Sequence, residues 1–179
     1  MNWQEHLIRR HPALFVRPFR TVPFAPGYPR CPDGWQRVVT RLVERVAATS
    51  RDGTVYFTHI IAEHGAMRVH WNSRSELTQR MALKIEEAVA LAEARSLCTC
   101  VDCGAEARLY ASDFLIFPAC IDHRRGTPVP VISGFHDVFL QRGIVRERSV
   151  LQRVRYDWAS DAFVDAPPEN LPKKGKRNG

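Results

Sequence analysis

What this sequence lacks narrows the tasks open to it. No apolar run approaches the roughly 18–20 residues of a membrane-spanning helix. The opening stretch MNWQEHLIRRHPALF carries Glu5, Arg9 and Arg10 where a signal peptide needs an apolar segment. A soluble, cytoplasmic protein with no membrane partner is expected. Neither a glycine-rich phosphate loop nor a serine elbow is present, and nothing points to a small-molecule substrate. There is no internal repeat. Lysine is scarce, with 22 of the 26 basic residues being Arg. The five cysteines are an odd set that fits a reducing compartment better than a disulfide framework.

What is present is an ordinary globular composition, 45% hydrophobic and 25% charged over 179 residues, enough for one core with an appendage. The net charge of +7 is uneven. Residues 1–53 carry +5, 54–131 carry −1, 132–172 carry −1, and the terminal KKGKRNG carries +4. A basic excess at both ends invites a nucleic-acid partner, and an arginine fork suits phosphate or carboxylate. An arginine-rich codon bias would give the same count.

Six prolines between Pro12 and Pro32 exclude a long helix and a central strand there. Residues 1–32 are expected as a proline-rich extended arm held by Phe15, Phe19, Phe24 and Tyr28. Asp33 fits an N-cap with Gln36 completing a capping box. From there Trp35, Val38, Val39, Leu42, Val43 and Val46 recur at helical spacing, with Arg37, Arg41 and Arg45 opposite. TVYFTHII and AMRVHW, joined by AEHG, predict a hairpin with Met67, Val69 and Trp71 inward. Ser73 and Glu76 suit a second capping box, and Leu77, Met81, Ile85, Ala88, Val89 and Ala92 then trace a second amphipathic helix. Residues 133–143 suit a short helix, and LQRVRYD with DAFVDAP a further hairpin. The expected fold is α+β: two amphipathic helices and short β-hairpins around a structural zinc knuckle. Residues 33–127 form the domain, 128–166 a β-rich extension packed on it, and 167–179 a flexible basic tail.

The chemistry concentrates in CTCVDCGAEARLYASDFLIFPACIDH, residues 98–123. Cys100-x-x-Cys103-Gly104 and Cys120-x-x-His123 each turn two ligands toward one ion, and Gly104 permits the positive φ that a knuckle needs. Three sulfurs and one nitrogen make a closed tetrahedral site for one zinc, structural because no position stays open for water. Cys98, in a tighter C-x-C with Cys100, is read as a spare, and Cys31 as a small packed hydrophobe.

The order PDGW (32–35), an amphipathic helix, AEHGAMRVHW (62–71), a helix ending in AEARS, then CVDCGA and CIDH resembles a group of uncharacterised bacterial and phage zinc-knuckle proteins. That group carries a GW-headed helix, a K-x-K-F-G-G-L-R-F-Y-like hairpin and a CxxCG…CxxH knuckle. The resemblance covers about 31–124. Gly65 and Arg68 keep the pattern, whereas Glu63, His64, Ala66 and Met67 stand where it has Lys, Phe, Gly and Leu. It implies a zinc site and a mobile-element setting, and brings no established activity.

Three function classes compete. A nucleic-acid-binding protein would use Arg17, Arg20, Arg37 and Arg41 together with Lys173, Lys174, Lys176 and Arg177, with aromatics available to stack on bases. A protein-binding adaptor or inhibitor would present its hairpins to a partner. A His-Asn-His-like nuclease is faintly echoed by Asp122-His123 with His136 downstream, but no second CxxC follows and His123 is better used on zinc. His59, His64 and His70 cluster around the predicted hairpin and read as partly exposed sheet histidines. The expectation is a non-enzymatic, zinc-stabilised binding protein, nucleic acid ahead of protein.

Overall fold

The computed structural model describes residues 2–20, 22–50, 53–131, 138–145 and 148–166. The basic tail with Lys173, Lys174, Lys176 and Arg177, and His136, lie outside the described residues.

The N-terminal segment is not extended throughout. Helix α1 (Trp3–Arg10) opens on Asn2, whose side chain accepts from the Glu5 N–H, and α2 (Pro12–Phe15) is one turn with proline at its start. Pro12 sits where the missing N–H costs nothing, so the proline series halts a helix here without preventing one. Leu7, Leu14 and Phe15 enter the core. Only then does the chain extend, through the small hairpin β1 (Arg17–Phe19) and β2 (Val22–Phe24) and the two-residue β3 (Pro29–Arg30). Phe24 is partly exposed.

Asp33 does not cap the next helix. Asp33–Trp35 form a 3₁₀ turn, and the Asp33 carboxylate accepts from the Trp3 indole N–H at 2.8 Å. Helix α3 (Gln36–Thr49) follows and buries Val38, Val39, Leu42, Val43 and Val46, as its spacing requires. Strands β4 (Val55–Glu63) and β5 (Ala66–Ser73) pair antiparallel across a turn in which His64 and Gly65 both have positive φ. Such a two-residue turn matches the strands' twist. A bulge between Phe57 and His59 resets the register. Strand β3 adds in parallel on the β4 side.

Helix α4 (Gln79–Leu97) starts later than the Ser73/Glu76 box, because Thr78 is the cap and accepts from the Met81 N–H. It serves two layers. Ile85, Ala88 and Ala92 join the main core with α3 and the sheet, while Leu91 and Ala94 face Tyr156 in a second cluster. It also closes the β5 edge: Ser96 Oγ accepts from the Met67 N–H at 2.7 Å and a Glu93 carboxylate oxygen from the Val69 N–H at 3.0 Å.

Beyond the helix, β6 (Arg108–Ser112), β7 (Leu115–Ala119) and β8 (Thr127–Pro128) form the knuckle sheet in order β7-β6-β8. A last sheet, β9 (Val138–Val145), β10 (Arg148–Asp157) and β11 (Ala162–Asp165), is antiparallel in order β11-β10-β9. The β10–β11 hairpin agrees with the sequence pattern. Residues 138–143, expected as part of a helix, are strand: Val138–Val145 pairs antiparallel with β10 along its whole length, and that pairing outweighs local propensity. No helix among the described residues is long and apolar enough to cross a membrane.

Candidate metal centre

The knuckle is built by backbone turns that leave little freedom. The Gly104 N–H donates to the Cys100 carbonyl at 3.0 Å and the Cys100 N–H to the Ala105 carbonyl at 2.8 Å, folding CVDCG into a tight loop with Gly104 at φ +77°. The second pair, Cys120 and His123, follows β7 directly. The ligand atoms of Cys100, Cys103, Cys120 and His123 lie within 4.8 Å of one another and could hold one metal ion. Cys103 Sγ is 3.7 Å from Cys120 Sγ, and His123 Nδ1 is 3.7 Å from Cys100 Sγ and 3.2 Å from Cys120 Sγ. A tetrahedron with zinc–sulfur and zinc–nitrogen bonds of ordinary length has edges of roughly 3.5–3.8 Å. The spacing therefore suits an ion of that size.

The thiols are prepared unequally. Burial pushes the Cys120 thiol up, but hydrogen bonds from the His123 ring and from the His123 and Asp122 backbone outweigh it and bring it down to about 7. At Cys103 the Ala105 N–H acts downward, while desolvation and the neighbouring Cys120 and Cys100 thiols leave it raised. Crowded protonated thiols of this kind are relieved when a cation takes their protons' place. Cys100 and Cys120 are buried, and Cys103 and His123 are at the surface.

Cys98 is not among the four. Its Sγ donates to the carbonyls of Ala94 and Arg95 at the end of α4. Cys31 packs against the core and its thiol is pushed up to about 12 by burial.

A clasp invisible in the ligand spacing holds this loop to α3. The Trp35 indole is buried and donates to the Thr99 carbonyl at 2.8 Å, and the Gly34 N–H donates to the Val101 carbonyl at 2.9 Å. A Cβ at Gly34 would collide with the carbonyls of Cys100 and Val101, so only glycine allows this approach. The PDGW segment is thus the seat of the metal loop, a role that only its neighbourhood in space reveals.

The candidate nucleic-acid residues are not gathered at one place. The Arg17 guanidinium stacks 3.7 Å from the Tyr56 ring centroid. Arg20 and Arg37 are exposed. Arg41 is engaged: with Arg45 and Arg95 it surrounds the buried Asp161 carboxylate at 2.7, 2.9 and 3.1 Å, where Tyr156 also donates at 2.6 Å. Desolvation would raise Asp161, but the Tyr156 hydrogen bond and the Arg45 and Arg95 charges hold it below the usual carboxylate range. His59 and His70 face each other across the strands with ring centroids 5.7 Å apart, so they share a face, while His64 occupies the turn.

Set beside known proteins, the chain matches no family model, no curated protein and no solved structure.

Proposed function

We propose that this is a zinc-stabilised, non-enzymatic binding protein whose partner is nucleic acid, an accessory factor of a mobile element or a bacterial chromosome. The observation that carries the reading is the closed Cys₃His ligand set: soft thiolates and one imidazole at tetrahedral spacing favour zinc, and four protein ligands leave no position for a substrate. The ion's task is then to fix the knuckle. Nucleic acid is favoured by the +7 charge and its concentration at the two ends. Elemental analysis is expected to give one zinc per chain. Retention on heparin should fall steeply with salt, and deleting residues 173–179 should lower the log–log salt slope on duplex DNA by up to about three or four, at roughly 0.9 per neutralised phosphate. Absence of binding at low salt rejects the nucleic-acid reading.

One observation favours the second reading, a protein-binding adaptor. Phe114 at the β6–β7 turn is fully exposed, and Leu115 and Ile116, which follow it in β7, are exposed as well. A cluster of that kind on a soluble surface marks a contact site. Co-purification of a protein partner, insensitive to nuclease and abolished in Phe114→Ser, would select it.

A further inference from the structure

The sheet β3-β4-β5 has one face in the core and one turned away from it. The cross-strand pairs Phe57–Trp71 and Ile60–Val69 pack on the helices. The pairs between them, Tyr56–Asn72, His59–His70 and Ile61–Arg68, point the other way, because directly opposed residues share a face and neighbours alternate. The bulge after Phe57 keeps His59 on this outer side. Strand β3 contributes Arg30 next to Ile61.

This outer face is aromatic and basic. His59, His70, Arg30 and Arg74 are exposed, and Tyr56 and Arg68 are partly so. The two imidazoles stand edge to face, and Arg17 and Arg74 lie over the Tyr56 ring at 3.7 and 5.8 Å. Among the described residues two carboxylates come near: Glu63 at the end of β4, and Glu93 of α4, 3.9 Å from Arg68 and occupied by the Val69 N–H. Four guanidiniums against two carboxylates make the face complementary to a polyanion. On the sheet itself Ile61 is a half-buried aliphatic side chain, and on the hairpin that carries Arg17 Val22 is exposed and Phe24 partly exposed, so the charge of the face rather than its apolar area distinguishes it.

We infer that this face binds single-stranded nucleic acid, with bases stacked on His59, His70 and the Arg17 guanidinium that lies over Tyr56, and phosphates held by Arg30, Arg68 and Arg74. The inference rests on the nucleic-acid reading above and adds to it a site and a strandedness. Exposed rings on a sheet, here two imidazoles set edge to face, offer a face to an unstacked base, whereas a duplex hides its base faces within its own stack. Arg17 extends the platform, since a guanidinium plane also stacks on bases. Stacking is tolerant of sequence, so little base preference is expected.

The test is fluorescence anisotropy of the full-length protein, purified with zinc, against fluorescein-labelled oligothymidylate and oligouridylate of about 12 nucleotides, with a duplex of equal length beside them. Single strands are expected to bind more tightly than the duplex. Tyr56→Ala, and His59→Ala with His70→Ala, should each weaken binding about 5- to 100-fold, while Tyr56→Phe binds as the parent. Arg30→Ala with Arg68→Ala should reduce the salt slope by about 1.4, at roughly 0.7 per phosphate neutralised on a single strand. Unchanged melting temperatures of the histidine and arginine variants show that the fold is intact. Binding by the parent that none of these changes weakens, or a preference for duplex, overturns the inference and leaves the nucleic-acid reading standing. A parent that binds no nucleic acid at low salt overturns both.

Discussion

The Cys/His knuckle and the C-terminal sheet are both fastened to the α3–α4 pair, by opposite means. The knuckle is fastened by uncharged backbone contacts: the Gly34 N–H, the Trp35 indole and a glycine approach too close for any side chain. The sheet is fastened by charge, three arginines from two helices converging on Asp161 in the β10–β11 turn, over a small apolar cluster of Leu91, Ala94 and Tyr156. An uncharged seat has no titrating group of its own, and a metal in the knuckle would make it sensitive to a chelator as well as to acid strong enough to protonate the ligands. A carboxylate clamp is indifferent to metal and depends on its ionisation. One chain therefore carries two attachments that fail under different conditions.

Removing the metal's ligands gives the largest effect. Thiolate zinc sites couple roughly 10–16 kcal/mol of metal binding to folding, so Cys103→Ser or a strong chelator should lower the melting temperature sharply. Cys98→Ser should be mild, because the Cys98 Sγ donates to helix carbonyls and lies outside the four-ligand group. Equal damage from the two serine variants in a thermal melt would mean that Cys98 contributes a ligand.

Next comes the seat itself. Trp35→Ala removes a buried indole and its hydrogen bond and should cost about 3–5 kcal/mol, measured by urea unfolding. Metal affinity should fall with it, since the loop that carries Cys100 and Cys103 rests on that ring. A destabilised variant that keeps full zinc affinity would separate seat from site.

The clamp should give the smallest change and the most local one. Asp161→Asn should cost about 1–3 kcal/mol, limited by the solvent reaching Arg41 and Arg45. Asp161 is held below its usual range in the fold, so its contribution is complete above the unfolded value of about 3.9 and is lost as pH falls below it. Hydrogen-exchange protection factors over 148–165, corrected for the intrinsic rate at each pH, should fall in acid or in the Asn variant while the α3–β4 core stays protected. Within the clamp, Arg41→Ala should cost about 0.5–1 kcal/mol and the exposed Arg37→Ala almost nothing. Protection that falls everywhere at once would make the two attachments a single cooperative unit.

Features written in neighbouring residues were legible in the sequence. The stripe of α3, the alternation of Met67, Val69 and Trp71, and the Cys-x-x-Cys and Cys-x-x-His turns each follow from spacing of four residues or fewer. Features depending on distant partners were not. Arg41 reads as a wet-face residue until Asp161, 120 positions away, is brought to it. Asp33 has a cap's chemistry but is taken by Trp3, and 138–143 has a helix's composition but is claimed by β10. The same limit explains why GW-plus-knuckle is readable as a pattern while its cause, one loop seated on another, is not.

The closed edge of β5 has a consequence for how molecules of this chain meet one another. A bare strand edge templates the next molecule, and polymer growth begins where donors stand unused. Here Ser96 and Glu93 engage the Met67 and Val69 donors, and a desolvated glutamate, its carboxyl pushed up by burial, is spent on that post. An incoming strand would have to displace a helix before it found a free N–H at either position. Over that stretch the helix stands where a second copy of this chain would otherwise begin to pair.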